Sequence, residues 1–281
     1  MYRELYRFGG VTFALESDAP LERSPVCEAF RVPDGVPDHT ICLRFSDALP
    51  TPPADSLRRD DMFRWQVGAQ RHLLQWVSAP GDIPHFTYAV THGAHTDVIF
   101  ASAYRTGASV STALQAVGLF DVFAARGMLV LHSAYIVTSA GEAILFSGPS
   151  GIGKSTQAAL WQRCAGARVV NGDRALVDVG KKTANGIFYA GTSGISENVT
   201  APVRAIVLLG QGSENRVFVP SPQAAFAGVL SQCAYYDWDV SSAEKMTACA
   251  ARLVSDVPVL RMDCLPDATA VETLRGKLGG I

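Results

Sequence analysis

Residues 148–156 have the sequence Gly148-Pro149-Ser150-Gly151-Ile152-Gly153-Lys154-Ser155-Thr156, which satisfies the pattern G-x-x-x-x-G-K-[ST]. Glycines allow backbone N–H groups to wrap phosphate oxygens, the lysine neutralises β/γ-phosphate charge, and the serine hydroxyl suits Mg²⁺. An apolar strand at Ile144-Leu145-Phe146 precedes the motif and a helix at about 154–164 follows it, as this loop requires. The nine residues therefore predict a nucleoside-triphosphate site.

Two other classes of protein carry nearly the same motif, and the surrounding sequence argues against both. Transporter ATPases need a Leu-Ser-Gly-Gly-Gln-type signature and an acidic residue at the end of a later apolar strand. Here the apolar strand at 205–209 is followed by Gly210-Gln211. Guanylate kinases place the loop near the start of the chain, whereas here it begins at residue 148.

A histidine is predicted to lie beside the loop. Strands at 128–137 and 142–146 flank a turn at Ser139-Ala140-Gly141. If this hairpin is centred on Ala140, His132 faces Gly148, with about 5 Å between their Cβ positions. The alternative is a histidine at a strand end that only hydrogen-bonds a backbone group.

An acidic residue is predicted at the same edge of the sheet. The strand at 168–170 follows the loop helix, should run parallel to the loop strand, and leads into Asn171-Gly172-Asp173-Arg174. Ligands bind beyond the carboxyl ends of such strands, so Asp173 is a candidate to hold Mg²⁺ or to take a proton from the acceptor. The alternative is an ordinary turn aspartate.

The remaining chain predicts an α/β protein of two parts. Residues 1–105 form a β-rich N-terminal region, which we expect to be antiparallel, and residues 106–281 hold the loop and the C-terminal helices. Strands are predicted at 10–15, 40–45, 62–67, 72–77, 85–90 and 97–100, with turns at 79–82 and 91–95. Helices are predicted at 109–125, 222–233, 242–254 and 267–278. The polar loop 191–198 could line an acceptor cleft, but a plain linker is the simpler interpretation.

Composition limits the partners. The chain has 281 residues, 48% of them hydrophobic and 18% charged, and a formal net charge of −2. It lacks the basic field that would bind nucleic acid or an acidic membrane, so a small molecule or a protein is the expected partner. Six cysteines without a C-x-x-C pair, together with a charged N-terminus, predict reduced thiols in a cytoplasmic protein. His92 and His95 are predicted to lie in a solvated turn rather than in a metal site.

Three segments together resemble a known family. They are His132-Ser133-Ala134-Tyr135, the loop at 148–156 and Gly172-Asp173, and they resemble the HPr kinase/phosphorylase-like group over residues 128–210. The catalytic fold of that group is akin to ATP-dependent phosphoenolpyruvate carboxykinase. The resemblance implies a P-loop, carboxykinase-like mixed-sheet core, ATP at the loop, Mg²⁺ at Ser155 and Asp173, and transfer of the γ-phosphoryl group to a hydroxyl.

The sequence also departs from that family. Gly172 stands where the family has the first of two aspartates, so Asp173 would serve alone. A Glu-Ile-Arg-Gly-like segment is missing, which argues against the reverse phosphorylase reaction. The N-terminal region does not resemble the family's regulatory domain, so the resemblance does not imply HPr as the acceptor. Divergent relatives are similar to kinases that phosphorylate a serine of a ribosomally made peptide.

The sequence thus favours an ATP- and Mg²⁺-dependent kinase that acts on a hydroxyl, preferably a serine, of a peptide or protein. Asp173, His132 and Lys154 are the candidate catalytic residues. One alternative is a nucleotide-gated binding or scaffold protein that transfers no phosphate. Another is a kinase of a free small molecule. The oligomeric state, homo-oligomers included, stays open.

Overall fold

The computed structural model describes residues 1–48, 50–77 and 85–279 and divides into two compact units, Met1–Leu119 and Phe120–Ile281. The predicted turn at 79–82 lies outside the described residues. The first unit extends beyond residue 105 because the segment that follows is tied to it. The backbone N–H of Glu22 donates to the carbonyl of Ala108, and the N–H of Val110 donates to the carbonyl of Glu22.

The first unit is built around a nine-stranded sheet of order β3-β1-β2-β4-β9-β8-β7-β6-β5. Its elements are β1 (Tyr2–Phe8), β2 (Val11–Ser17), α1 (Pro25–Glu28), β3 (Arg31–Val32), β4 (His39–Phe45), β5 (Leu57–Arg59), β6 (Met62–Val67), β7 (Gln70–Val77), β8 (His85–His92), β9 (His95–Phe100), a 3₁₀ turn (Ser102–Thr106) and α2 (Val110–Gln115).

The expectation of a wholly antiparallel region is wrong at the centre of this sheet. β2 pairs with β4 and β4 pairs with β9 in parallel, while the other strand pairs are antiparallel. Parallel neighbours need long connections, and here α1 and β3 lie between β2 and β4 in the chain. Strand β1 was not predicted, because charged residues interrupt its apolar ones. Its Tyr6 and Phe8 side chains are nevertheless fully buried.

The helix predicted at 109–125 is two helices, α2 and α3 (Leu119–Ala124). Gly118 lies between them with a φ of +66°, in the left-handed region where a glycine ends a helix without strain. Gly127, just after α3 and just before β10, has a φ of +69° and ends the helical segment in the same way.

The second unit contains the loop strand and the remaining helices. Its elements after α3 are β10 (Met128–Val137), β11 (Ala143–Ser147), α4 (Lys154–Ala165), β12 (Arg168–Asn171), β13 (Arg174–Asp178), β14 (Thr183–Asn185), a 3₁₀ turn (Gly191–Ser193), β15 (Thr200–Gln211), β16 (Arg216–Phe218), α5 (Pro222–Leu230), α6 (Val240–Asp256), β17 (Val259–Cys264) and α7 (Ala268–Leu278). No helix in the described part of the chain has both the length and the apolar character to cross a membrane.

Five strands of the second unit close into a small barrel. The order around it is β11-β10-β13-β14-β15, and β15 pairs again with β11, in parallel. β17 and β16 extend the sheet outward from β15. The barrel joins parallel and antiparallel pairs, so the second unit is a mixed α/β structure.

Successive residues of the central strands face two different cores. Leu145 and Tyr135 belong to one cluster, which also contains Val229 of α5 and Met246 of α6. Ile144, Phe146 and Ile136 belong to the other, with Trp161 of α4 and Leu274 of α7. Apolar residues on both faces explain why β11 is a continuous apolar run rather than an alternating one. This packing holds rigidly the strand that leads into the phosphate loop.

Strand β12, which follows α4, runs parallel to β11 as predicted, but the two strands are not neighbours in the sheet. β11 and β12 are both antiparallel to β10 and lie on its opposite sides. They therefore point the same way, and their carboxyl ends reach the same edge of the sheet.

Tyr135 provides a test of the barrel. Its side chain is fully buried, and its hydroxyl donates to the carbonyl of Ala184, 3.0 Å away on β14. Tyr135→Phe keeps the packing and removes this bond, so we expect a loss of about 1 kcal/mol in the free energy of unfolding. Tyr135→Ala also leaves a cavity and should cost about 3–5 kcal/mol. Urea unfolding measures both, with Tyr2→Phe at an exposed position as the control.

Candidate phosphate-binding site

The glycines of the loop are required by its backbone. Gly148, Gly151 and Gly153 have φ values of +145°, +77° and +114°, which other residues adopt only with strain. A Cβ at Gly148 would also lie 3.2 Å from Ile152 Cγ2. Gly153 is the N-cap of α4, so the loop ends at a helix N-terminus whose free N–H groups attract anions.

Lys154 is buried at the start of α4 and folds back over the loop. Its Nζ donates to the carbonyl oxygens of Gly148 at 2.8 Å and Pro149 at 3.0 Å. Burial lowers the pKa of this ammonium, the Asp173 carboxylate opposes that shift, and the Arg174 guanidinium adds to it. The lysine charge is thus held at the loop rather than in solvent.

The hairpin brings His132 to the loop. The observed pairs Ser133–Ser147 and Val137–Ala143 have the register expected for a turn centred on Ala140, which is confirmed. Ser147 Oγ donates to the His132 carbonyl at 2.8 Å, directly before the loop. The position of His132 is therefore fixed by backbone pairing.

Asn171 shapes the bend that carries Asp173. Its Oδ1 accepts hydrogen bonds from the backbone N–H groups of Asp173 and Arg174, each at 2.9 Å. Its Nδ2 donates to the Ile187 carbonyl at 2.7 Å, and the side chain is fully buried. Sequence analysis did not select Asn171, although an asparagine before Gly-Asp is a typical signal for such a turn.

Asp173 lies between the side chains of His132 and Arg174. His132 Nε2 is 3.4 Å from its Oδ1, and Arg174 Nε is 3.3 Å from its Oδ2. The hydrogen bond from His132 lowers the pKa of this carboxyl most, with further contributions from the charges of Arg174, His132 and Lys154, and burial opposes the shift. Asp173 is consequently ionised at neutral pH.

The segment that begins with the 3₁₀ turn Gly191–Ser193 packs against this bend. A Cβ at Gly172 would lie 2.7 Å from Ser193 Cβ, and a Cβ at Gly191 would lie 2.8 Å from Asp173 Cγ. Gly191 has a φ of +54°. The two glycines therefore allow a close approach of two backbone segments, and Ser193 occupies the space beside Gly172.

These elements enclose an open cleft of about 270 Å³. Its lining is mostly polar and consists of His132, Ser150, Gly151, Gly153, Lys154, Ser155, Thr156, Gly172, Asp173, Thr192 and Ser193.

The structure brings most of the predicted site residues to one place. His132, Lys154, Ser155 and Asp173 all line the cleft, whereas the loop residues Gly148, Pro149 and Ile152 do not. Thr192 and Ser193 come from the segment for which a plain linker was the simpler interpretation. The functional roles of all these residues stay predictions.

Comparison with known proteins adds little. No protein-family model matches the chain, and no curated protein sequence matches it. Among solved structures, the chain is similar to the Hpr(Ser) kinase/phosphatase from Coxiella burnetii, with 16% identity and a TM-score of 0.25 over 54% of this chain and 93% of that chain. The relationship is distant at this level of similarity, so the proposal below rests on the geometry of the cleft.

The contact between Gly172 and Ser193 predicts a coupled pair of substitutions. Gly172→Ala places a methyl group against Ser193 and should cost about 1–3 kcal/mol of unfolding free energy. In a Ser193→Gly background the space is open, and most of that cost should disappear. Urea unfolding of the four proteins gives the coupling energy.

Gly180→Ala is the matched control, because a Cβ there would meet Asp178 Oδ1 at an ordinary 3.6 Å. An equal cost of Gly172→Ala in both backgrounds would contradict the described contact.

Proposed function

We propose that the protein is an ATP-dependent kinase that transfers the γ-phosphoryl group to a hydroxyl, preferably a serine, of a peptide or protein. The observation that supports this most is a single cleft that combines a phosphate-binding loop with an ionised carboxylate and a histidine. A site that only bound phosphate would need the loop and its lysine but not the other two groups.

The groups around the cleft fit a Mg·nucleotide. The loop N–H groups and Lys154 would hold the β- and γ-phosphates. Ser155 and Asp173 offer a hydroxyl and a carboxylate oxygen in the same lining, which are the hard oxygen ligands that Mg²⁺ prefers. Mg²⁺ held there would neutralise charge on the transferred group.

Asp173 and His132 would orient the acceptor. The ionised Asp173 accepts a hydrogen bond from the attacking hydroxyl and thereby aligns the oxygen with the phosphoryl group. A carboxylate with a lowered pKa is a weak base, so orientation and metal binding are its main tasks. His132 contacts the same carboxylate and can accept or donate a proton at its imidazole.

The absence of a second carboxylate beside Asp173 supports one competing function. Because residue 172 is a glycine, Asp173 is the one carboxylate in the described lining of the cleft. A single carboxylate would suffice for nucleotide binding without phosphoryl transfer. Incubation with γ-labelled ATP and a panel of serine peptides, free serine and sugars separates the possibilities. Label on peptides supports the proposal, and label on free serine or sugars supports a small-molecule kinase. Mg·ATP binding without any labelled product supports a binding protein.

Lys154→Ala tests nucleotide binding. The substitution removes the buried charge that lies over the loop carbonyls, so the affinity for Mg·ATP should fall at least tenfold, about 1.4 kcal/mol or more. Isothermal titration calorimetry measures it. Lys181→Ala removes an exposed lysine paired with Asp178 and should leave the affinity unchanged. Equal affinities for all three proteins would refute the assignment of the loop.

Asp173→Asn separates transfer from binding. The variant keeps the shape of the side chain but loses the charge and the stronger acceptor oxygen. We expect kcat to fall by about 10²–10⁴, because these groups act mainly in the transition state. The affinity for Mg·ATP should stay within about tenfold of the parent, since Lys154 and the loop amides supply most of it.

Steady-state transfer and equilibrium titration on the same preparations give both numbers. Asp178→Asn, at the other end of β13, is the control for loss of a carboxylate. A transfer rate of Asp173→Asn close to that of the parent would contradict the proposed role of Asp173 in phosphoryl transfer.

A further inference from the structure

Four side chains with metal-binding groups meet on the sheet of the first unit. Glu16 on β2 is the register partner of Cys42 on β4, and Cys42 is the partner of Asp97 on β9. His95 lies two residues before Asp97, on the same face of β9. Three neighbouring strands thus contribute a carboxylate, a thiol, an imidazole and a second carboxylate.

The donor atoms of Cys42, His95 and Asp97 are close enough to share one ion. One ligand atom each from Cys42, His95 and Asp97 lie within 4.8 Å of one another. Cys42 Sγ is 3.6 Å from Glu16 Oε2, and His95 Nε2 is 3.4 Å from Asp97 Oδ1. Bonds of about 2.0–2.3 Å to a tetrahedral zinc ion place the donors roughly 3.3–3.8 Å apart, so the three donors must move closer together when they bind the ion.

The surroundings suit such a site. Arg3 Nε donates to Glu16 Oε1 at 3.1 Å, which leaves Oε2 directed at the thiol. The side chains of His95 and Asp97 are 45% and 51% exposed, so an ion can enter from solvent.

We propose that Cys42, His95 and Asp97 form a binding site for a zinc-type divalent cation, with Glu16 beside the Cys42 thiol. A thiolate and an imidazole favour Zn²⁺ or Co²⁺ over Mg²⁺ and Ca²⁺, which prefer sites made of oxygen ligands alone. On binding, the Cys42 S–H bond breaks, its proton goes to the buffer, and a metal–sulfur bond forms without any change of oxidation state. The site is separate from the residues of the proposed kinase cleft and does not depend on that function.

Such an ion would join strands that are far apart in the sequence. Cys42 on β4 and Asp97 on β9 are register partners in one of the two parallel pairings at the centre of the sheet. The ion would bind only the folded arrangement, and therefore zinc should raise the midpoint of thermal unfolding of the full chain. His95 was predicted to lie in a solvated turn rather than in a metal site, because Cys42 comes from a strand that is distant in the sequence and reaches β9 through parallel pairing.

Titration of the metal-free full-length protein with Co²⁺ tests the site. We expect a thiolate-to-cobalt charge-transfer band in the near ultraviolet that saturates at one equivalent and disappears on addition of Zn²⁺. Cys42→Ser should abolish the band, and His95→Ala should weaken Co²⁺ binding at least tenfold. Asp173→Asn should leave the band unchanged, because a thiolate band does not report on an oxygen site in the cleft.

Matched controls are a second exposed histidine and a second cysteine. His92→Ala removes the hairpin partner of His95, and Cys164→Ser removes an exposed free thiol; both should keep the parent band and affinity. Circular dichroism without metal checks that each variant folds. If Cys42→Ser does not fold, Asp97→Asn, a substitution at an exposed side chain, takes its place. A parent protein without the band, a band that persists in Cys42→Ser, or undiminished binding by both His95→Ala and Asp97→Asn would overturn the proposal.

Discussion

Hydrogen bonding along both sides of strand β10 is the constraint on which the candidate site depends. On one side β10 pairs with β11 as far as Ser133 and Ser147, which are next to His132 and to the start of the phosphate loop. On the other side it pairs with β12 and β13, and the N–H of Ser133 donates to the carbonyl of Asp173 at 2.9 Å in the bend between them. Because one strand sets the position of loop, histidine and carboxylate, a shift of register by one residue would separate all three.

The charges in the cleft depend on one another. Lys154 and Arg174 both favour the ionised form of Asp173, while Asp173 opposes the loss of the Lys154 proton caused by burial. These groups would otherwise be costly to keep partly buried. Lys154, which lines the cleft, also places a positive charge beside the proposed position of the phosphoryl group. Electrostatic needs of folding and of the proposed chemistry are therefore met by the same contacts.

Short-range patterns in the sequence were sufficient for much of this. The loop motif, its flanking strand and helix, and the symmetry of the hairpin about Ala140 located His132 correctly, because each depends on residues near one another in the chain. The contact of Ser193 with Gly172 and the central parallel pairs of the first sheet join distant segments. No local periodicity encodes such contacts, so they had to come from the structure. Asn171 is the exception, since its turn signal was visible.

The two walls of the cleft differ in how their backbone is held. The strand ends at Ser147 and Asn171 belong to ladders buried on both sides, whereas residues 191–194 are exposed and outside any ladder. That segment is tied by side-chain bonds such as Ser193 Oγ to the Ala190 carbonyl at 2.7 Å. Amide protons of the first wall should exchange with solvent through opening of these ladders, and those of the second should need only local opening. A ligand that bridged the two walls would thus slow amide exchange in residues 191–194 and leave the exchange of the strand ends unchanged.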